Sequence, residues 1–295
     1  MSGLRRILLT AFCQTPGLAS ALRLLFPQAE IYTRSALAKK DAAAADVAHL
    51  LGQLDAWISV EGGDDFFSGS AYAQSHPNLR YLRIPLIEFP AFHPDVCTAA
   101  RVVGGPPVKV KHTSVLAAWA YRAQMPPADA ARLFNKETFA NLGYLTNWDE
   151  SVGRMQAAFA ASDLADDFDR FYLSIKRLGL FMYSDTHPRP EVIAALAKLI
   201  ALKLGRDEAS LNLDVPAYDA LSYFLWPVYP EIARNLSVPT TGYVWQLTDS
   251  ERIEGLENFL KYSYDQYRAK GLAPEHIGVA GIDMDQVGRA VVSGP

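Results

Sequence analysis

The sequence predicts an α/β protein: an N-terminal Rossmann-like parallel sheet of about four strands, followed by a predominantly α-helical C-terminal part. Three observations carry that prediction. Short apolar runs alternate with segments of helical period up to about residue 112, helical period dominates afterwards, and Pro or Gly punctuates the junctions. The two parts are read as residues 1–112 and 113–295, packed as one unit.

The first strand is the apolar run Ile7–Phe12. Thr15 is then expected to cap a helix, with Pro16 in its first turn. Leu18, Leu22 and Leu25 fall on one face of that helix, and Pro27 ends it. "AEIYT", Ala29–Thr33, reads as the second strand. Ala36–Leu54 reads as an alanine-rich helix, and "DAWISV", Asp55–Val60, as the third strand, closed by Gly62 and Gly63. "LRYLRIPLIEF", Leu79–Phe89, supplies the fourth, with Pro85 limiting its pairing. Strands separated by helices imply right-handed crossovers. Helices are then expected over 112–124, 127–134, 151–161, 166–178, 191–204, 216–225, 229–236 and 250–269. The stretch after Gly271 carries the weakest pattern.

Composition narrows the function classes. Half of the 295 residues are hydrophobic and one fifth are charged, which is ordinary globular chemistry. A formal charge of −4 lacks the basic excess that neutralises nucleic-acid phosphates. No apolar run approaches the roughly 20 residues of a membrane span, although peripheral membrane contact stays open. The apolar core Ile7–Phe12 is short for a signal peptide, and bulky Phe12 stands where cleavage needs a small residue. The expectation is a cytoplasmic protein. Its only cysteines are Cys13 and Cys97, too few for a disulfide framework. No paired Cys-x-x-Cys or His-x-x-x-His suggests a metal.

Ligands of open parallel sheets bind beyond the carboxyl ends of the strands. Cys13 follows the first strand there, just ahead of a helix whose free N–H groups favour a thiolate nucleophile. A small buried packing residue is the competing reading of Cys13; Cys97 is read as packing. Gln14 adds an amide beside Cys13. Gly62 or Gly63 offers backbone N–H groups to a developing oxyanion. Three histidines are candidate bases: His93 in "FHPD" with Asp95 two residues on, His112 after "VKVK", and His187 in "SDTHPRP" with Asp185 nearby. Lys109 and Lys111 alternate around Val110, so an extended segment points both the same way. With His112 and the following helix start they suit a phosphate-bearing ligand; an exposed basic edge is the competing reading.

Five blocks, in order, resemble the WcbI-type polysaccharide (capsule) biosynthesis family. Ala11-Phe12-Cys13-Gln14 is similar to its Gly-Asn-Cys-Gln motif. "RIPLIEFPAFHPD", "GGPPVKVKHTSVLAAWAY", "GLFMYSDTHPRPEVIAAL" and "WPVYPEIARNL" are similar to its later blocks. Phe12 stands where the family has Asn, Lys111 where it has Tyr, and Thr186 where it has Asn. The resemblance implies an acetyl-CoA-dependent O-acetyltransferase acting on a sugar hydroxyl, with coenzyme A as cofactor and a sugar or polysaccharide precursor as acceptor. It implies catalytic roles for Cys13, His93, His187 and Asp185, and cofactor contacts at Gln14, Lys109, Lys111, His112 and Arg189. Cys13 either carries the acetyl group as a thioester or only lines the site while a histidine deprotonates the acceptor. Two other readings compete. One is an SGNH-like esterase or deacetylase, suggested by Asp185-x-His187-Pro188. The other is a non-catalytic carbohydrate- or nucleotide-binding protein.

Overall fold

The computed structural model describes residues 3–33, 49–60 and 70–292. The chain falls into two compact units. Unit 1 comprises Met1–Glu88, Val152–Met182 and His187–Ser222; unit 2 comprises Phe89–Ser151, Tyr183–Thr186 and Tyr223–Pro295.

Unit 1 carries a four-stranded sheet in the order β2-β1-β3-β4, all parallel: β1 (Arg6–Thr10), β2 (Glu30–Thr33), β3 (Ala56–Val60) and β4 (Arg80–Ile84). Every residue of β3 is buried, as is all of β1 but its first residue. Continuous apolar runs rather than alternation mark strands covered on both faces. The register sets Thr10 opposite Ser59. The Thr10 hydroxyl donates to Ser59 Oγ at 3.1 Å and accepts from Trp57 Nε1 at 3.1 Å, which fixes the carboxyl end of β1. The fourth strand stops at Ile84, short of the expected Phe89, because Pro85 supplies no N–H to the ladder.

Helix α1 (Thr15–Leu25) buries Leu18, Leu22 and Leu25 completely. Thr15 is its first residue, not its cap. The Thr15 hydroxyl instead accepts from the Ala11 N–H at 3.0 Å, tying the helix start to the end of β1. The expected helix Ala36–Leu54 lies mostly outside the described residues, as do Gly62 and Gly63. The short α2 (Ser70–Ser75) precedes β4.

Unit 2 holds a three-stranded antiparallel sheet, order β6-β5-β9, from β5 (Val96–Arg101), β6 (Lys109–Ser114) and β9 (Ile277–Val279). Helix α3 (Val115–Arg122) follows β6 directly, with Ser114 as N-cap accepting from Ala117 N–H at 2.9 Å. His112 therefore lies in a strand, three residues ahead of the helix it was expected to open. Further helices are α4 (Pro127–Ala130), α5 (Lys136–Asn141), α6 (Trp148–Ala160), α7 (Phe168–Lys176), α8 (Pro190–Lys203) and α9 (Pro230–Leu236). A hairpin of β7 (Val244–Gln246) and β8 (Arg252–Glu254) precedes α10 (Leu256–Ala269), and α11 (Met284–Val292) follows β9. No helix forms over the expected 216–225; Leu225 instead bridges Gln246. The hairpin packs on aromatic rings, with Trp245 stacked on Phe259 at 4.0 Å between centroids. Among the described residues no helix is long and apolar enough to cross a membrane.

Candidate active site

In unit 1 the chain leaves β1 through a 3-10 turn, Phe12–Gln14, and enters α1. Phe12 takes a left-handed φ of +45°. For a bulky residue that conformation is strained by roughly 1–2 kcal/mol. The turn leaves Cys13 exposed and buries Gln14, at 1 % exposure. The Gln14 amide donates to the Ile87 carbonyl at 2.9 Å. The segment beyond β4 is thus fastened to the elbow beyond β1, and the carboxyl ends of two strands meet as the sheet topology requires.

His187 and Arg189, in the same unit, flank Pro188, which lines a crevice with Gln14 of this elbow. Met182 and Pro188 form an antiparallel bridge, and Arg189 N–H donates to the Phe181 carbonyl at 3.0 Å. The loop so closed ends in His187, which is buried. Arg189 is the N-cap residue of α8. Gln14 and Pro188 line one narrow crevice with Pro190, Ile193 and Tyr218. A larger cleft of about 550 Å³ shares Pro190 with it and runs past Ala194, Lys198 and Val215. α1 approaches α8 through Gly17; a Cβ there would sit 3.1 Å from the Tyr218 carbonyl and 3.2 Å from Ile193 Cγ2.

The remaining sequence candidates belong to unit 2. "FHPD" forms a 3-10 turn, Pro90–Phe92, followed by a buried His93. Asp185 lies on the segment 183–186, and its carbonyl accepts from the Phe89 N–H at 2.7 Å. Asp95 is fully buried at the start of α3. Its carboxylate accepts from Tyr229 Oη at 2.8 Å, Tyr144 Oη at 3.1 Å and Leu116 N–H at 3.1 Å, and also from Ser114. Burial raises its pKa to about 6 even though these four donors pull the other way. Tyr144 and Tyr229 are pushed well up by burial and then by the Asp95 charge, so they remain donors. Sequence reasoning placed Asp95 beside His93 and missed the two tyrosines. They come from α9's edge and the loop after α5, and no motif links them to "FHPD". Cys97 behaves as packing: burial, then the Asp95 and Asp185 charges, push its thiol far up.

Lys109 and Lys111 are both exposed on β6. The pairing slips between Cys97 and Ala99, so a β-bulge falls at Lys111 and His112. His112 takes φ +52° and sets its ring 4.5 Å from that of Phe224. Burial, and secondly Lys111, lower its pKa.

A family model described as polysaccharide biosynthesis enzyme WcbI matches residues 6–209 of this chain. A solved structure of WcbI, described as a novel polysaccharide biosynthesis enzyme, is similar in fold, with TM-score 0.64 and 15 % identity. The match covers 98 % of this chain and 93 % of that one, and the description specifies native protein without a disulfide bond between CoA and a cysteine. No curated protein matches the chain.

Proposed function

The chain belongs to the WcbI family of polysaccharide biosynthesis enzymes, and from that premise we propose that it is an O-acetyltransferase that moves an acetyl group from acetyl-CoA to a sugar hydroxyl by way of Cys13. The observation that carries the reading is the strained elbow Phe12–Gln14, which leaves a thiol exposed immediately ahead of α1. Backbone strain of this kind concentrates at functional sites. The free amides of a helix start favour the thiolate, the nucleophilic form of cysteine. The solved WcbI structure, characterised as native protein without a disulfide bond between CoA and a cysteine, links the same two groups and supports the reading. The cleft along α8 is of a size that small-molecule sites occupy.

Acetyl-CoA supplies the activated acyl group. With its proton held by a histidine, Cys13 Sγ forms a bond to the acetyl carbonyl carbon as the bond to the CoA sulfur breaks, and that proton passes to the departing sulfur. The sugar hydroxyl oxygen then bonds to that carbon, and Cys13 leaves as thiolate. A histidine takes the hydroxyl proton and returns it to sulfur. His187 is the preferred base, because Pro188 beside it and Gln14 beside Cys13 wall one crevice. Arg189, at the start of α8 in the same unit as Cys13, is proposed to meet the cofactor phosphates.

Protein mixed with acetyl-CoA and no acceptor should gain one acetyl mass, mapped to Cys13. His187→Ala should accumulate less of it at equal CoA affinity. Full transfer by Cys13→Ala would overturn the covalent route, and failure to bind CoA at all would overturn the acetyltransferase reading in favour of a hydrolase.

A further inference from the structure

Unit 2 contains a pocket of about 200 Å³ that the acyl-transfer chemistry of Cys13 does not use. Three elements build it: the β6 bulge, the turn of the β7–β8 hairpin, and α10. Its rim carries Lys111, His112, Thr248, Glu251, Tyr262 and Gln266, and its walls include the rings of Phe224 and Phe259. We propose that this pocket is a saccharide subsite that takes one pyranose ring of the polysaccharide or its precursor. The proposal rests on the polysaccharide reading of the family, not on the acetyl step.

The chemistry of the lining argues for a sugar. A pyranose has apolar C–H faces and a belt of hydroxyls, so its binder needs ring surfaces together with several donors and acceptors. Exposed Tyr223 and half-buried Tyr262 supply ring surfaces. Lys111 donates, Glu251 accepts, and Gln266 and Thr248 do both. Glu251 is already oriented: its carboxylate accepts from Tyr262 Oη at 3.1 Å, and its backbone N–H donates to Thr248 Oγ1 at 3.0 Å. Among the described residues Lys111 forms no ion pair, so one cation and one anion face the same space.

The bulge is the second, independent observation. Two residues of β6, Lys111 and His112, stand against one of β5, and His112 adopts a left-handed backbone that few non-glycine residues take. Bulges re-aim side chains beside sites. Here the bulge sets the imidazole against Phe224, and both line the pocket. A charge-balanced rim of this size fits a neutral sugar ring better than a dianionic phosphate, which Glu251 would repel.

The test is saturation-transfer NMR on the full chain with methyl glycosides of glucose, galactose, mannose and N-acetylglucosamine, and with adenosine and inorganic phosphate as counter-probes. At least one glycoside should bind saturably in the millimolar range. Gln266→Ala and Glu251→Ala, each checked by circular dichroism for an intact fold, should weaken it at least tenfold. Cys13→Ala should leave it unchanged, which separates this site from acyl transfer. Binding of adenosine or phosphate with no glycoside would overturn the assignment, as would glycoside binding indifferent to both rim substitutions. Glycoside binding without any Cys13 acetylation would support the subsite and count against only the acetyltransferase reading.

Discussion

Replacing Asp95 by Asn isolates the cost of a buried charge. Asp95 is completely buried, and its pKa lies near 6 against an ordinary carboxyl value of 3.8. That difference corresponds to about 3 kcal/mol. The folded chain holds the proton more tightly than the unfolded one, so stability from this group is full below pH 3.8 and is lost as pH rises through 6. About 2 kcal/mol of the loss falls between pH 4 and pH 7.5. Asn does not titrate. It keeps one acceptor oxygen but sets N–H donors against Ser114, Tyr144, Tyr229 and the Leu116 amide, a mismatch that costs roughly 1–3 kcal/mol per unpaired group. That cost is independent of pH and cancels when two pH values are compared. The melting midpoint of Asp95→Asn relative to wild type should therefore rise by roughly 4–8 °C from pH 4 to pH 7.5, at about 2–4 °C per kcal/mol for a chain of this size. A flat difference would refute the reasoning. A falling one would mean that the donors outweigh burial and hold Asp95 below its ordinary pKa.

Iodoacetamide at neutral pH should label Cys13 faster than Cys97 in the native protein, since Cys13 is exposed while Cys97 is half-buried and its thiol is pushed up by desolvation and then by the Asp95 and Asp185 charges; peptide mapping reads the ratio. Gly17→Ala should lower stability by roughly 1–2 kcal/mol. Its Cβ meets a backbone carbonyl and a packed isoleucine, which outweighs the roughly 1 kcal/mol helix preference of alanine. A melting temperature at or above wild type would show that α1 and α8 have room to part.

The parallel sheet was legible because its strands are covered on both faces. Ile7–Leu9 and Ala56–Ile58 are continuous apolar runs, and Leu18, Leu22 and Leu25 give their helix one unmistakable stripe. The antiparallel sheet of unit 2 was not. Its strands are three to six residues long, and Val96–Arg101 is buried at only one position, so no alternation stands out. Pairing with Ile277–Val279 joins segments some 180 residues apart, and a local pattern has no access to that closure. "VKVK" reads as an extended run leading into a helix at His112, but the strand continues to Ser114, which caps the helix from Val115. What the letters do not encode is that Cys97 pairs with Thr113 while Ala99 pairs with Val110, which makes His112 a bulge residue.

The same limit explains which parts of the site could be read. Cys13 was found because its chemistry needs only a strand end and a helix start, both of which are local. Gln14 was found for its neighbour, yet its structural role is a hydrogen bond to Ile87, 73 residues on. The left-handed φ at Phe12 is imposed by tertiary ties on either side of it: Thr10 held to Ser59 and Trp57, Ala11 to Thr15, and Gln14 to Ile87. With both flanks fixed, the chain must turn within Phe12 and Cys13. Asn accepts a left-handed backbone more readily than Phe. An Asn at this position, as in the motif that Ala11-Phe12-Cys13-Gln14 resembles, would turn at less cost. This chain makes the same turn with a half-exposed aromatic ring beside the thiol, and the three flanking ties hold the elbow in place against that strain.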